Sequence, residues 1–496
     1  MNPTRIVLIM TDTQRTDMLG CYGNPRMHTP SLDRLAAQGT RFAAAHTCSP
    51  VCGPARSAIF TGTFPHSNGV WANTMALGDN VKTLGQRLRD HHIQTAYIGK
   101  WHLDGGDYFG LGRCPDGWNP KYWFDMRRYL EELSPDDRVR SRNPATNQDP
   151  TLTEDFLFGH RVSNRAIHFL ANHANDSFLL VVSYDEPHGP CLCPPPYSTM
   201  YRDYEHPKSP NVADTLQGKP DHQRVWAGKR LSADRDAIAI RHPDYFGCNS
   251  YVDHEIGRVL DAIDAHAPDA LVLYTSDHGD ALASHCLSGK GPAMYEEITR
   301  IPLIIRWPGH TPQATACPHP VSHIDLAPTL MEAAGLPIPK LLEGKSMLDT
   351  LHDPTIRPND VTFTEFGRYE IDHDGFGGFQ PVRAALDGRH KLALNLLSTD
   401  ELYDLETDPN ELSNLITSRA HTPIRNALHD AILDWMNRTR DPFRGYYWER
   451  RPWRTDARAA TWPYTAMTRQ RENEEYEPRQ LDYDTGLEMT EATRRK

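Results

Sequence analysis

Along this chain, short apolar runs rich in β-branched residues alternate with stretches whose apolar residues recur every three or four positions. The runs at 6–10, 95–98, 178–183, 271–275 and 301–305 are bounded by polar turns, the pattern of parallel strands buried on both faces. Between them, 30–36 and 249–265 carry the helical period that crossover helices need. The expected fold is α/β, with a large mixed, mostly parallel sheet flanked by helices. Beyond His352-Asp353-Pro354 and Arg357-Pro358 the pattern changes to short strands at 361–366, 382–386 and 391–397. A helix over 423–438 follows, with Ile424, Leu428, Ile432, Leu433 and Met436 on one stripe. These predict a smaller C-terminal subdomain of antiparallel sheet plus helix. The boundaries fall at 1–355 for the α/β domain, 356–440 for the subdomain and 441–496 for an arm rich in arginine and aromatics. Seven aromatics between Tyr446 and Tyr476 predict an ordered arm that wraps its own subunit or, in a homo-oligomer, a neighbouring one. Segments 105–150 and 190–245 have little period and predict long insertions over one face of the sheet.

Composition narrows the class without naming a function. With 39% apolar and 24% charged residues, the 496-residue chain has the balance of a soluble globular protein. A formal net charge of −12 argues against nucleic acid or an anionic membrane as a partner, so an anionic substrate would need a local cluster of Lys, Arg and His. The first apolar run is too short to span a membrane and has no small-residue cleavage site after it, which predicts a cytoplasmic protein. Nine cysteines without a spacing framework fit reduced thiols. Cys191-Leu192-Cys193 near His188 lacks the spacing of a zinc knuckle.

Candidate chemistry gathers at the strand ends. Ligands of open α/β sheets sit outside the carboxyl ends of the strands, and four runs here end in reactive residues. They lead into Asp12, into Lys100-Trp101-His102, into Asp185-Glu186-Pro187-His188 and into Asp277-His278-Gly279. Asp and Gly are also ordinary turn residues after a strand, so each motif alone has a bland reading. Together, Asp12, Asp277 and His278 offer a site for a hard divalent cation. Cys52-Gly53-Pro54-Ala55-Arg56 places a thiol where a helix begins, close to free backbone N–H groups and the positive end of the helix dipole.

These motifs, with Lys290-Gly291, Tyr295-Glu296-Glu297, Arg300-Ile301-Pro302 and the stretch from Leu402 to Asn414, resemble in order and spacing the type I, formylglycine-dependent sulfatases of the alkaline phosphatase superfamily. The resemblance covers roughly residues 5–440 and is closest to bacterial cytoplasmic sulfatase-like hydrolases. It implies an alkaline phosphatase-like fold and a maturase that oxidises Cys52 to 3-oxoalanine (formylglycine). The aldehyde hydrate, held by Arg56 and the metal, would attack the sulfur of a small sulfate ester and give a covalent sulfated enzyme. Lys100 and Lys290 would bind the sulfate oxygens, His188 would protonate the leaving alcohol, and His102 would take the proton whose loss expels sulfate. The metal, Ca²⁺ with Mn²⁺ or Mg²⁺ as alternatives, would be bound by Asp12, Cys52, Asp277 and His278. The implied substrate is the sulfate monoester of a small carbohydrate or aryl alcohol. Asn73, Arg368 and His373, with Trp71 and Glu365 nearby, are candidates for the leaving-group pocket, or else for interdomain contacts.

Two departures matter. Many sulfatases have tandem acids after the first strand, whereas Thr11-Asp12-Thr13-Gln14 has one, a gap that Thr13 or Gln14 could fill. Where many have Asp-Asn, this chain has Asp277-His278. Phosphonate monoester and phosphodiester hydrolases share both features, so a hydrolase of that kind using the same aldehyde is the rival reading. A non-catalytic relative with an unmodified Cys52 is the alternative of another class.

Overall fold

The computed structural model describes residues 4–105, 108–232, 234, 238–370, 379–454, 481 and 485–487. Its larger sheet has seven strands: β1 (Arg5–Thr11), β2 (Thr40–His46), β3 (Gln94–Gly99), β4 (Phe178–Ser183), β5 (Leu271–Ser276), β6 (Leu303–Arg306) and β7 (Thr315–Ser322). They lie in the order β3-β4-β1-β5-β6-β2-β7. All neighbours are parallel except β6, which runs against both β5 and β2. The run at 301–305 is thus a strand of opposite sense to the expected one. After Ser276 the chain stays at the carboxyl edge of the sheet until Arg300, which bridges His46, and it re-enters from that edge with Leu303 opposite Thr275.

Alternation along β1 divides the interior in two. Val7 and Ile9 join a core with helices α1 (Pro30–Ala37), α3 (Phe158–Asn172) and α4 (Pro243–His266), through Leu35, Phe169 and Val259. Ile6, Leu8 and Met10 join the opposite core with α2 (Cys52–Thr61) and α5 (Leu326–Ala333), through Ile59, Phe60 and Leu330. A period of two along a strand covered on both faces requires this split. At about 25 cal/mol per Å² of apolar surface removed from water, these two cores dominate the fold energetically.

The smaller sheet is antiparallel, in the order β11-β10-β9-β8, with β8 (Thr362–Phe366), β9 (Val382–Leu386), β10 (His390–Asn395) and β11 (Glu401–Asp404). Helix α6 (Thr422–Arg438) lays Leu428, Ile432, Leu433 and Met436 against Leu392, Leu394 and Leu402. The near part of the arm closes on its own chain, where Arg451 donates to both carboxylate oxygens of Asp400 and Trp448 is buried. Trp462, Tyr464 and Tyr476 of that arm lie outside the described residues. Among the described residues, no helix is long and apolar enough to cross a membrane.

Candidate active site

Register aligns the strand ends. Met10 and Gly99 both pair with Ser183, and Thr11 pairs with Ser276, so the residues that follow emerge at one level on the carboxyl edge. Gly99 has φ +124°, and a Cβ there would lie 1.8 Å from the carbonyl oxygen of Ser183. Only glycine permits the turn that delivers Lys100. Cys52 opens α2, a helix buried along its whole length. Val51 offers no side-chain cap, and the Gly53 amide donates instead to Asn73 Oδ1 at 2.9 Å. One turn later Arg56 projects from the same face as Cys52.

Within this edge the side chains converge. Cys52 Sγ lies 2.6 Å from Lys290 Nζ, 3.2 Å from His278 Nε2 and 3.7 Å from Asp12 Oδ1. Arg56 bridges the two acids, donating to Asp277 at 3.0 Å and to Asp12 at 3.2 Å. Lys100 Nζ reaches Asp12 at 2.8 Å and Asp185 at 3.0 Å. Donor atoms of Asp12, Cys52, Asp277 and His278 lie within 4.8 Å of one another, all buried. His278 Nδ1 is 2.7 Å from the Gly279 carbonyl and donates to it, which makes Nε2 the ring atom that faces the cluster, the orientation a metal-binding imidazole needs. The residues therefore fit a divalent cation. Thr13 donates to Asp12 at 2.6 Å, whereas Gln14 turns away to Asn249, so the missing second acid is not supplied by Gln14.

Charge balance sets the protonation states. Burial opposes ionisation of Asp12, yet Lys100, Lys290, His188 and Arg56 outweigh it and hold the carboxyl well below its ordinary range. Burial and Asp12 push the Cys52 thiol up, but Lys290, His278 and Lys100 prevail and bring it down to about 5. His102 moves the other way: burial, then Lys100 and Arg56, depress it to about 3. It is a neutral imidazole whose buried Nδ1 has no hydrogen-bond partner.

Two contributors escaped the sequence reading. Tyr108 donates to Asp185, accepts from Lys100 at 2.9 Å and lies 3.0 Å from His188 Nδ1. With Gly189 O also 3.0 Å from Nδ1, both neighbours of that nitrogen accept. His188 therefore keeps a proton on Nδ1, and any second proton sits on Nε2. Ser183 accepts from Arg56 at 2.9 Å and donates to the Lys100 carbonyl at 2.8 Å, fixing both. No motif marks either residue, because an aromatic in an irregular insertion and a serine ending a strand are common. Of the leaving-group candidates, Asn73 is occupied with Gly53, Arg368 is half-buried and His373 lies outside the described residues. Glu365 faces His66 in an interdomain contact.

A mostly parallel sheet with cations, acids and a thiol at its carboxyl edge defines a hydrolase site for charged esters. The sequence profile of the Sulfatase family matches residues 4–336, and that of the N-sulphoglucosamine sulphohydrolase C-terminal region matches 290–438. The chain belongs to the sulfatase family of the alkaline phosphatase superfamily and is a sulfuric ester hydrolase. It is 45% identical over 495 residues to the uncharacterized sulfatase YidJ of Escherichia coli K12, covering 98% of this chain and 97% of that one. Solved structures share the fold. BT4656, in complex with its substrate D-glucosamine-2-N,6-O-disulfate, has a TM-score of 0.73 at 21% identity, over 89% of this chain and 99% of that one. A phosphonate monoester hydrolase of Agrobacterium radiobacter has a TM-score of 0.71 at 21% identity, over 88% and 96%.

Proposed function

We propose that the chain hydrolyses a small sulfate monoester with residue 52 in its formylglycine form. The observation that carries this reading is Cys52 Sγ pressed between Lys290 Nζ and His278 Nε2 at the start of a buried helix. The aldehyde hydrate supplies an oxygen nucleophile where Sγ now lies. Asp12, Asp277 and His278 would hold a divalent cation, Ca²⁺ as the first choice with Mn²⁺ as the alternative that the imidazole donor favours, and it would supply Lewis-acid activation of that oxygen and charge neutralisation. Lys100 and Lys290 hold the sulfate oxygens as the S–O ester bond breaks. His188, as an imidazolium whose Nδ1–H is held by Tyr108 and Gly189, would give its Nε2 proton to the leaving oxygen. His102, already neutral, takes the proton whose loss releases sulfate and restores the aldehyde.

A single acid at the first motif and the Asp277-His278 pair favour a second reading, a phosphonate or phosphodiester hydrolase using the same nucleophile. Turnover of an aryl sulfate and an aryl phosphonate ester, measured on one preparation made with a maturase, separates the two. The sulfatase reading expects the higher kcat/KM for the sulfate, loss of turnover on chelation, and recovery on adding back Ca²⁺ or Mn²⁺. A higher kcat/KM for the phosphonate contradicts it.

A further inference from the structure

Beside the Cys52 cluster lies a cavity of about 490 Å³, within the size range of small-ligand sites. Four of its lining residues belong to the site: Thr13, which donates to Asp12; His188; Gly189, whose carbonyl meets His188 Nδ1; and Gly289, the chain neighbour of Lys290. Neither Asn73 nor Arg368 lines it. Much of the remaining wall is apolar, formed by Ile238, Ala239, Leu282, Ala283, Tyr245 and Cys286. Several polar atoms of the wall are already engaged within the protein. The Tyr245 hydroxyl donates to the Thr13 carbonyl at 2.9 Å, and the Cys286 thiol to the carbonyls of Val212 and Asp214 at 3.5 and 3.4 Å. Asp280 Oδ1 accepts from the amides of Leu282 and Gly289 at 2.8 and 3.2 Å. A polyol entering this space would give up water at several hydroxyls and find few replacements.

Arg230 is the exception. Among the described residues it makes no ion pair, and its one hydrogen bond is from Nη1 to Ser288 Oγ at 2.5 Å. The other ionisable groups lining the cavity, besides His188 and the cysteines, are Asp280, tied to backbone amides, and His242 and Tyr245. The wall is also built in advance. Leu282, Ala283, His285 and Cys286 have φ of 41, 73, 54 and 58°, a left-handed run that non-glycine residues keep only where the surroundings enforce it. Here His285 enforces it, stacked on Tyr295 with ring centroids 3.6 Å apart and held by Asp214 at 2.6 Å. The same loop carries Lys290.

The geometry points to this cavity as the seat of the alcohol half of the ester, and to an alcohol with a flat aryl or alicyclic body ending in a carboxylate that Arg230 receives. This assignment rests on the sulfatase reading above. The planar guanidinium matches a carboxylate with paired N–H donors, while the apolar wall covers the body.

Calorimetry with the free alcohols tests the cavity independently of which ester is cleaved. The probes are para-hydroxyphenylacetate, its neutral analogue para-hydroxyphenylethanol, and glucose. Wild type should bind the carboxylate about tenfold more tightly than the neutral analogue, a ratio set by one charge-assisted pair, and glucose more weakly than both. Arg230→Gln should abolish the tenfold preference, and Ala239→Trp, which fills the cavity, should weaken both phenols. Equal affinities for the two phenols, or tighter binding of glucose, overturn the assignment. Turnover of the matching sulfate esters is then compared. Preferred binding without turnover refutes the sulfatase reading and leaves the cavity assigned; turnover without the preference does the reverse.

Discussion

Around Cys52 and around His66 the chain buries similar residue types. In each place a histidine and two carboxylates lie close enough to share an ion, and in each an arginine lies between the acids. Around His66 the arrangement is closed. The ring meets Glu365 through Nδ1 and Thr439 through Nε2, and Arg383 donates to both oxygens of Asp441 at 2.6 and 3.1 Å. Around Cys52 it is open: Lys100 and Lys290 add two further cations, the thiol is drawn toward its anion, and His102 keeps an unpartnered nitrogen. Metal-like spacing is therefore no mark of a site by itself. What separates the two is a thiol and two further lysines gathered at the ends of parallel strands, where the side chain at position 52 meets Lys290 rather than a closed carboxylate pair. The His66 cluster, by contrast, joins the small sheet to the large domain through Glu365 of β8 and residues just after α6.

Each cluster can be disrupted on its own. Cys52→Ser should lower kcat by roughly 10⁴-fold or more, since a nucleophile that cannot be regenerated stops the cycle. The variant should still fold and unfold cooperatively in urea, and retained turnover would contradict the account. Arg383→Ala should do the opposite, costing about 3–5 kcal/mol of stability by stranding buried carboxylates. The remaining folded protein should keep kcat within a few-fold. Tyr108→Phe should reduce kcat about tenfold for esters of poorly leaving alcohols and much less for good ones, because only the former need a proton from His188. A uniform loss across leaving groups would assign Tyr108 a merely structural part.

The smallest effect is one of pH. Burial opposes protonation of His66, but Glu365 outweighs it and raises its pKa above the ordinary 6.5. A raised folded pKa means that this contribution to stability is complete below 6.5 and is lost as pH rises through the folded value. The stability gap between wild type and His66→Gln should therefore be widest below pH 6.5 and narrow as pH rises through the folded pKa above it. A gap that widens over that range would show the ring to be neutral in the folded protein.

Much of this was legible in the chain where physics leaves a local trace. Buried parallel strands need continuous apolar runs, and β1, β3, β4 and β5 have them; their ends gave the site. Strand β2, Thr-Arg-Phe-Ala-Ala-Ala-His, has little intrinsic strand preference and is held by its neighbours on both sides. Strand β7 contains Pro318 and Pro320, which its place at the sheet edge tolerates. The sense of β6 depends on where the preceding loop stays, which no local pattern records. Tyr108, and the cavity walls at 238–239 and 282–286, come together only through tertiary contacts between insertions.

Mass spectrometry of the peptide spanning residue 52, taken from preparations of graded activity, tests whether that residue is the modified nucleophile. The account predicts an aldehyde or its hydrate in place of the thiol, with the modified fraction rising in proportion to kcat per chain. Full activity in a preparation that carries only cysteine at position 52 would contradict it.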